Sequence, residues 1–462
     1  MDPITPTMRA VGEVVSVVSD ARTLLPDARV TSIDQYLESG GGITLAKALS
    51  LPRAEVIEVV SQAGLRGRGG AGFPTAAKWS GLLRDQEGVK YVCCNAAEGE
   101  PATFKDRLLI RTNPYRLIEG LGIAAYAAGA EGAYIVTKSD FTTEIEALTR
   151  ARSEMGELGI SGAVPIELVL GPDQYLLGEE KALLEVIEGN DPLPRLVPPY
   201  IQGLFATPQS SNPAAVNNVE TLFNVPAIVE AGPDWFRSVG TQTSPGTMLF
   251  TVVGDVQRPG MFEAPLGIPL SDLLELAGGA LPGRTIKAVL PGASNAVITP
   301  ASFGVALDFD SMKSVGSGLG SGGFTFYDDT ACAVRIAETF TRFLCVESCG
   351  QCPACKLHSG DISETLTRID SGEADAGDLQ DVLVRCSMVT DGQRCGLPDG
   401  VRTIVPSFMT EFRSEFEAHL NGRGCPFPRD ISLPKITRYD PVLGFEFDHR
   451  QALKRPDWTY PP

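Results

Sequence analysis

What the chain lacks narrows the field first. Its 462 residues include no apolar run long enough to span a bilayer. The apolar stretch 121–130 (LGIAAYAAGA) is too short and runs into Glu131. The N-terminal residues do not combine a basic start, an apolar core and a small-residue cleavage site, so no secretory leader is expected. Positive charge is also scarce: Lys and Arg number 39 against 57 Asp and Glu, a formal net charge of −18. Such a field repels phosphate backbones, which argues against nucleic acid as a partner. The ten cysteines are partly clustered, which excludes a disulfide framework and points to a reducing compartment with a metal site. A chain of this length exceeds what one core usually serves, so about two to four domains are expected.

What is present is organised around residues 346–356 (VESCGQCPACK), where Cys349, Cys352 and Cys355 stand with two residues between neighbours. A tight loop of this kind places three thiolates around one centre and suits an iron–sulfur cluster. A structural zinc site needs the same number of thiolates and stays open at this point. The fourth ligand must come from elsewhere. Cys395, in the turn-rich stretch 392–400 (GQRCGLPDG), is the first candidate and Cys386 the reserve. His358 lies near the run and is read as a bystander, whereas Cys332 and Cys345 are read as packed thiols.

In chain order, a weakly patterned arm (1–31) precedes helical segments at 33–38 (IDQYLE) and 53–63 (RAEVIEVVSQA), the second stopped by Gly64. Residues 64–78 (GLRGRGGAGFPTAAK) follow, a glycine-rich loop whose backbone N–H groups can approach a phosphate or a ring. Strand patterns at 90–95, 133–137 and 165–170 then alternate with helical patterns at 117–128 and 143–152, which implies an α/β layer with a largely parallel sheet. Ligands of such sheets sit at the carboxyl ends of strands. The loops 95–101 (NAAEGEP) and 175–180 (YLLGEE) are therefore candidate ligand loops, and Asn217 and Asn218 offer amides able to bond a flavin or nucleotide. Beyond residue 245 the pattern predicts paired strands at 247–254 and 259–264, then a short helix at 272–277 capped by Ser271. A glycine-rich linker spans 316–323, and helices are expected at 328–344, 363–369, 378–385 and 404–419.

Taken together, residues 67–75 (GRGGAGFPT) with Lys78, 95–101 (NAAEGEP), 178–180 (GEE), 217–221 (NNVET) and 347–355 (ESCGQCPAC) occur in the order found in one family. The chain resembles the NADH-binding flavoprotein subunit of respiratory complex I, a module shared with NAD-linked hydrogenases and formate dehydrogenases. The resemblance covers nearly the whole chain. It implies a Rossmann-like α/β layer for FMN and NADH (32–244), a ubiquitin-like β-grasp domain of the SLBB type (245–327), a four-helix bundle with one [4Fe-4S] cluster (328–425) and a tail (426–462). It further implies that Gly67, Arg68, Gly69, Gly70, Lys78, Asn95, Tyr175, Gly178, Glu179, Asn217 and Asn218 line the flavin site. Phe73, Glu100, Glu180 and Tyr200 would face the nicotinamide nucleotide, with Glu100 as the catalytic candidate. Cys349, Cys352, Cys355 and Cys395 would hold the cluster.

The implied activity is that of an NADH dehydrogenase: NADH gives a hydride to the flavin, which releases single electrons to the cluster. The implied partners are a thioredoxin-like [2Fe-2S] subunit and a larger Fe–S or catalytic subunit, in the cytoplasm or at the inner membrane face through those partners. There are three departures from the family pattern: Ala97 stands where Asp is common, Gly81 where an aromatic is common, and Pro353, Ala354 and Lys356 where threonine, proline and arginine are usual. Two other readings stay open here, the diaphorase subunit of a hydrogenase or formate dehydrogenase and a non-catalytic metal-stabilised scaffold.

Overall fold

The computed structural model describes residues 9–11, 15–17, 24–26, 28–85, 88–162, 164–427 and 429–461. The arm expected over 1–31 lies largely outside these described residues. The chain divides into two compact units: Met1–Glu98, Phe104–Phe250 and Met261–Ile268 form the first, and Gly99–Thr103, Thr251–Gly260 and Pro269–Pro462 the second.

The first unit is built on a parallel sheet of β1 (Tyr91–Ala96), β2 (Gly132–Lys138), β3 (Ile166–Gly171) and β4 (Ala214–Asn218), in the order β3-β2-β1-β4. β1 lies inside the sheet, and its Val92, Cys93 and Cys94 are wholly buried. That burial explains why it reads as an apolar run rather than as an alternation. Helix α1 (Arg53–Ala63) ends at Gly64, whose φ of 70° lets the chain turn. The glycine loop leads into α2 (Thr75–Arg84), and α3 (Lys105–Thr112) follows β1. Next come α4 (Pro114–Ala128), α5 (Thr142–Glu157), α6 (Glu180–Ile187) and α7 (Val219–Ala231). Helix α4 starts on an Asn113 cap with proline in its first turn. It packs closely on α7 because Gly120 has no side chain: a Cβ there would lie 2.1 Å from the Leu222 carbonyl oxygen.

Helices α2, α3 and α6 are not apparent from pattern alone. They are short, and α2 and α3 mix charged, small or glycine residues into their apolar faces. β1, β2 and β3 lie within a residue of their expected bounds and α4 and α5 within five, whereas β4 and α7 were not expected as a strand and a helix.

Farther along run β5 (Thr247–Gly254), β6 (Gly260–Pro265), β7 (Ile286–Pro291) and β8 (Gly323–Asp328). In the second unit, residues 251–254 of β5 pair in parallel with β8, and β8 pairs antiparallel with β7. The short helix is Leu270–Leu276, and Ser271 does not cap it: the N-cap is Pro269, and the Ser271 hydroxyl bonds Asp272 at 3.1 Å. Four longer helices follow, α8 (Ala333–Glu347), α9 (Pro353–Ser371), α10 (Ala376–Met388) and α11 (Leu397–Glu411), then the short α12 (Arg413–Ala418). α8 packs on α9 and α11, and α10 on α9 and α11. The helix expected over 404–419 thus begins seven residues earlier, at Leu397, and breaks at Phe412. After α12 the chain forms a hairpin, Ile436–Asp440 with Gly444–Phe447, and Lys454 makes a buried ion pair with Glu347 at 2.8 Å. Among the described residues, no helix is long and apolar enough to cross a membrane.

Candidate functional site

In the first unit the chain adds β2 and β3 on one side of β1 and then β4 on the other, all parallel to it. A crevice opens at the carboxyl ends of β1 and β4, where ligands of open α/β sheets bind. The register sets Asn95 beside Asn218 and Cys94 beside Asn217. A cavity of about 260 Å³ lies here, lined by Gly67, Gly69, Phe73, Lys78, Asn95, Gly178, Glu179, Glu180, Asn217 and Asn218 of the expected residues. Ala71, Gly72, Thr75, Val216 and Thr221 join them. Thr75 and Thr221 belong to the motifs already singled out, so their positions were available in the sequence although their roles were not.

Each wall has a local cause. The glycine loop closes on itself through the Gly67 N–H, which donates to the Phe73 carbonyl at 2.9 Å, and the Thr75 N–H, which donates to Leu65 at 3.0 Å. At Gly69 a Cβ would stand 3.1 Å from the Asn218 Cβ, so any larger residue crowds the asparagine. Helix α2 begins without a side-chain cap, and since its Thr75 and Ala77 N–H groups are taken by the Leu65 and Pro74 carbonyls, what it offers an anion is chiefly the positive end of its dipole. The Thr75 hydroxyl and the Asn217 amide nitrogen are buried and make no hydrogen bond within the protein. Buried polar groups in folded proteins are normally paired, so this wall has the chemistry of one that receives a polar ligand. The uncapped helix, the lysine and the two waiting polar groups fit a flavin phosphate and ring edge.

Asn218 has a different part. Its amide nitrogen donates to Asp106 at 2.6 Å, and its oxygen accepts from Lys105 at 3.3 Å and from the Glu220 N–H at 3.0 Å. Lys105, wholly buried, pairs with Asp106 at 2.8 Å and Glu220 at 2.9 Å. Glu220 also accepts from the Leu249 N–H at 2.9 Å. Behind it Glu98 accepts from the Asp106 and Arg107 N–H groups, both at 3.2 Å, and burial pushes its carboxyl up to about 7. Breaking such a buried network leaves an uncompensated charge, so Asn218 holds β4 and α3 in place. Lys105 and Asp106 were missed because two adjacent opposite charges read as a solvated helix start.

The adjacent carboxylates separate by geometry. Glu179 caps α6, accepting from Lys181 at 2.8 Å and Ala182 at 3.0 Å, and burial raises its carboxyl to about 7 against those bonds. Glu180 stays half-exposed and pairs with Lys78 at 3.1 Å. Lys78 also donates to the Val216 carbonyl at 3.0 Å and lies 6.0 Å from the Phe73 ring centre.

Five expected residues do not line this cavity. The Arg68 guanidinium is wholly buried and donates to the Pro245 carbonyl at 2.8 Å. Burial lowers its pKa to about 10, and it is committed to structure rather than to a phosphate. Gly70 takes a φ of 126° in the loop, and Tyr175 sits in a short 3-10 turn, Tyr175–Gly178. Tyr200 is 64% exposed. Glu100 belongs to the second unit, where its carboxylate accepts from the Ala293 N–H at 2.5 Å. Of the departures, Ala97 is wholly buried, and Gly81 is an exposed α2 position whose Cβ would meet nothing within 4 Å.

In the second unit the cysteine run enters α9: Cys352 is its N-cap and Cys355 stands in its first turn. The Ser348 hydroxyl lies 3.2 Å from the Cys355 sulfur, and the Gln351 amide donates to the Cys349 sulfur at 3.5 Å. Arg394, the neighbour of Cys395, hydrogen-bonds the Cys352 thiol and lowers its pKa against a larger upward push from burial. Cys395 precedes the N-cap of α11, Gly396. Cys386 is buried on α10, and burial raises its thiol to about 12. Two helix N-termini and a set of soft thiolates suit an anionic iron–sulfur cluster. Lys356, where the family has arginine, donates to the Ser348 carbonyl at 2.9 Å and to Pro456 at 2.8 Å, tying the cysteine loop to the tail.

A flavin-type crevice with a cysteine-rich helical region defines a flavin and iron–sulfur oxidoreductase component. The Nuo51 FMN-binding domain matches residues 60–227, the SLBB domain residues 249–289, and the NADH-ubiquinone oxidoreductase-F iron-sulfur binding region residues 335–419. The NADH-quinone oxidoreductase F-subunit 2 of Rhizobium meliloti (strain 1021) is 42% identical over 87% of this chain and 97% of its own length. The NADH-quinone oxidoreductase F-subunit of Mycobacterium tuberculosis H37Rv is 39% identical over 84% of this chain and 90% of its own. The NADP-reducing hydrogenase subunit HndC of Solidesulfovibrio fructosivorans is 36% identical over 86% and 82%. Among solved structures, the NAD+-reducing [NiFe]-hydrogenase in the H2-reduced state aligns with a TM-score of 0.74 and 33% identity, over 87% of this chain and 68% of that one. The chain belongs to the family of NADH-quinone oxidoreductase F-subunits.

Proposed function

We propose that this chain is the electron-input subunit of an NADH dehydrogenase of the complex I type. The observation that carries the residue-level reading is the Asn217 amide nitrogen, buried without a partner at the switch point of the sheet and beside the glycine loop. FMN bound there supplies the conversion between hydride transfer from NADH and single-electron transfer to a [4Fe-4S] cluster. The uncapped start of α2, Thr75 and Lys78 hold the phosphate, and Asn95 and Asn217 hold the ring edge. Asn95 is pre-set for this, its amide nitrogen donating to Gly178 at 2.6 Å and its oxygen accepting from Ala97 at 3.1 Å. Phe73, half-exposed at the mouth, offers a face for the nicotinamide nucleotide, and Glu180 accepts from its ribose.

Cys349, Cys352, Cys355 and Cys395 hold the cluster. The Arg394 contact to Cys352 supports Cys395 over Cys386, because it brings the 394–395 turn to the cysteine run. We read the strands around β5 to β8 as the ubiquitin-like module and α8 to α11 as the four-helix bundle, with the domain bounds expected from sequence. A thioredoxin-like [2Fe-2S] partner and a larger Fe–S subunit receive the electrons, in the cytoplasm. A second reading, the diaphorase subunit of an NAD(P)-linked hydrogenase, is favoured by the likeness to HndC and to the [NiFe]-hydrogenase. Co-purification of the native chain separates them: quinone-reductase subunits support the first reading, and a hydrogenase large subunit replaces it with the second.

A further inference from the structure

Outside the flavin cavity and the cysteine run, the second unit brings together Cys332, Asp370, His419 and Cys425. One ligand atom from each lies within 4.8 Å of all the others, and among the described residues this is the one such group. The four come from distant points of the chain. Cys332 is the N-cap of α8, Asp370 lies near the end of α9, His419 follows α12, and Cys425 lies beyond it. Cys332 and His419 are wholly buried and stand 87 residues apart in sequence, with 3.3 Å between the sulfur and Nε2. Nε2 lies 3.8 Å from the Asp370 carboxylate.

We propose that these four side chains form a structural zinc site, separate from the cluster ligands. Two thiolates, one imidazole and one carboxylate are a zinc donor set. Bonds of about 2.0–2.3 Å at tetrahedral angles give ligand-to-ligand edges of roughly 3.3–3.8 Å. The observed separations need only small side-chain motions to reach that geometry.

The surroundings prepare each ligand. The His419 Nδ1 is 2.6 Å from the Glu415 carbonyl oxygen, which can only accept. The proton therefore sits on Nδ1, and the lone pair on Nε2 faces the sulfur, as in imidazoles oriented by an outer partner. Arg335, in the first turn of α8, donates from Nε to both Asp370 oxygens at 3.0 and 3.1 Å. Its other nitrogen donates to the Arg429 carbonyl at 2.9 Å, which anchors the chain just after Cys425. This guanidinium offsets the net negative charge that two thiolates and a carboxylate leave on a divalent ion.

Binding releases the two thiol protons to solvent and ties α8, α9 and α12 to the start of the tail. Cys332, which reads from sequence as a packed thiol, becomes a ligand under this inference.

The test is metal analysis of the holoprotein, purified without a metal-affinity tag and dialysed against EDTA. About one zinc per chain is expected beside the cluster iron, and zinc-edge absorption should show two sulfur neighbours. His419→Ala and Cys425→Ser should each lose more than nine-tenths of the zinc while keeping iron and flavin. Chain expressed in cobalt-supplemented medium should show thiolate-to-cobalt charge transfer, a readout that does not depend on a variant folding. Full iron with zinc below one-tenth per chain and no cobalt band would overturn the site. So would zinc that survives both substitutions, or a Cys332–Cys425 disulfide in the native protein. Loss of flavin activity with zinc intact would strike the proposed function and leave this site standing.

Discussion

Replacing Asn217 with alanine should move flavin affinity and apoprotein stability in opposite directions. In the apoprotein the amide nitrogen is buried with no partner, and an unsatisfied buried donor costs about 1–3 kcal/mol. The side chain borders the cavity, so truncating it enlarges a space that already exists and leaves no sealed void. The apoprotein should therefore melt higher, by roughly 2 °C or more for a unit of this size. In the holoprotein the same change removes a neutral hydrogen bond to the flavin worth about 0.5–1.5 kcal/mol, so the FMN dissociation constant should rise roughly 2- to 13-fold. Quenching of FMN fluorescence gives the affinity, and differential scanning fluorimetry of deflavinated protein gives the melting point. An apoprotein that melts lower, together with unchanged FMN affinity, would refute the reasoning, because the amide would then have a role only inside the fold.

Lys78→Ala should weaken FMN retention, toward the lower end of about 1.5–3 kcal/mol for a charged hydrogen bond because the side chain is partly exposed; unchanged flavin occupancy with unchanged NADH KM removes Lys78 from the site. Glu180→Gln should raise the NADPH-to-NADH ratio of kcat/KM by at least about tenfold, or roughly 1.4 kcal/mol, since a carboxylate repels a 2′-phosphate; in a ferricyanide assay, a ratio within about twofold of the parent defeats the assignment. Cys395→Ser should lose the cluster and Cys386→Ser keep it, judged by iron content and the reduced-state EPR signal, and the reverse pattern makes Cys386 the ligand. Glu98, Glu179 and Glu263, the last on β6 where it accepts from the Thr247 hydroxyl at 2.7 Å, all have carboxyls raised by burial to about 7. Because the folded state binds their protons more tightly than the unfolded chain, their contribution is full below about pH 4.3 and lost as pH rises through about 7. The deflavinated protein should melt progressively lower between about pH 5 and pH 8, and a midpoint that climbs across that range contradicts this.

The parts of the fold that repeat a simple period were legible in the sequence. α1 matches its expected bounds, Arg53–Ala63, because its apolar residues recur at helical spacing and Gly64 stops it. β1 and β2 were found within a residue because buried strands read as apolar runs, and β3, a partly exposed edge strand, because its Ile166, Leu168, Val169 and Leu170 still stand out against the polar residues around them. The cavity was legible through its glycines and asparagines, which are unusual enough in combination to stand out. What could not be read was the division of labour among them. Asn217 and Asn218 are chemically identical and both border the cavity, and only their places at the end of β4 leave the amide nitrogen of one unpartnered and commit the other to Asp106 and Lys105. Arg68 was expected to line the flavin site with the rest of the glycine loop, yet its side chain is drawn inward to the Pro245 carbonyl. The docking of the tail through Lys454 and Glu347 pairs residues more than a hundred positions apart, a distance at which local pattern carries no signal.

The most direct test of the account is anaerobic addition of NADH to the purified, flavin-loaded chain, followed by optical and low-temperature EPR spectroscopy of one sample. The account predicts that NADH bleaches the flavin absorbance and that an EPR signal of a reduced [4Fe-4S] cluster appears in the parent and is absent in Cys395→Ser. Protein that carries flavin and iron and shows neither change with NADH would contradict it.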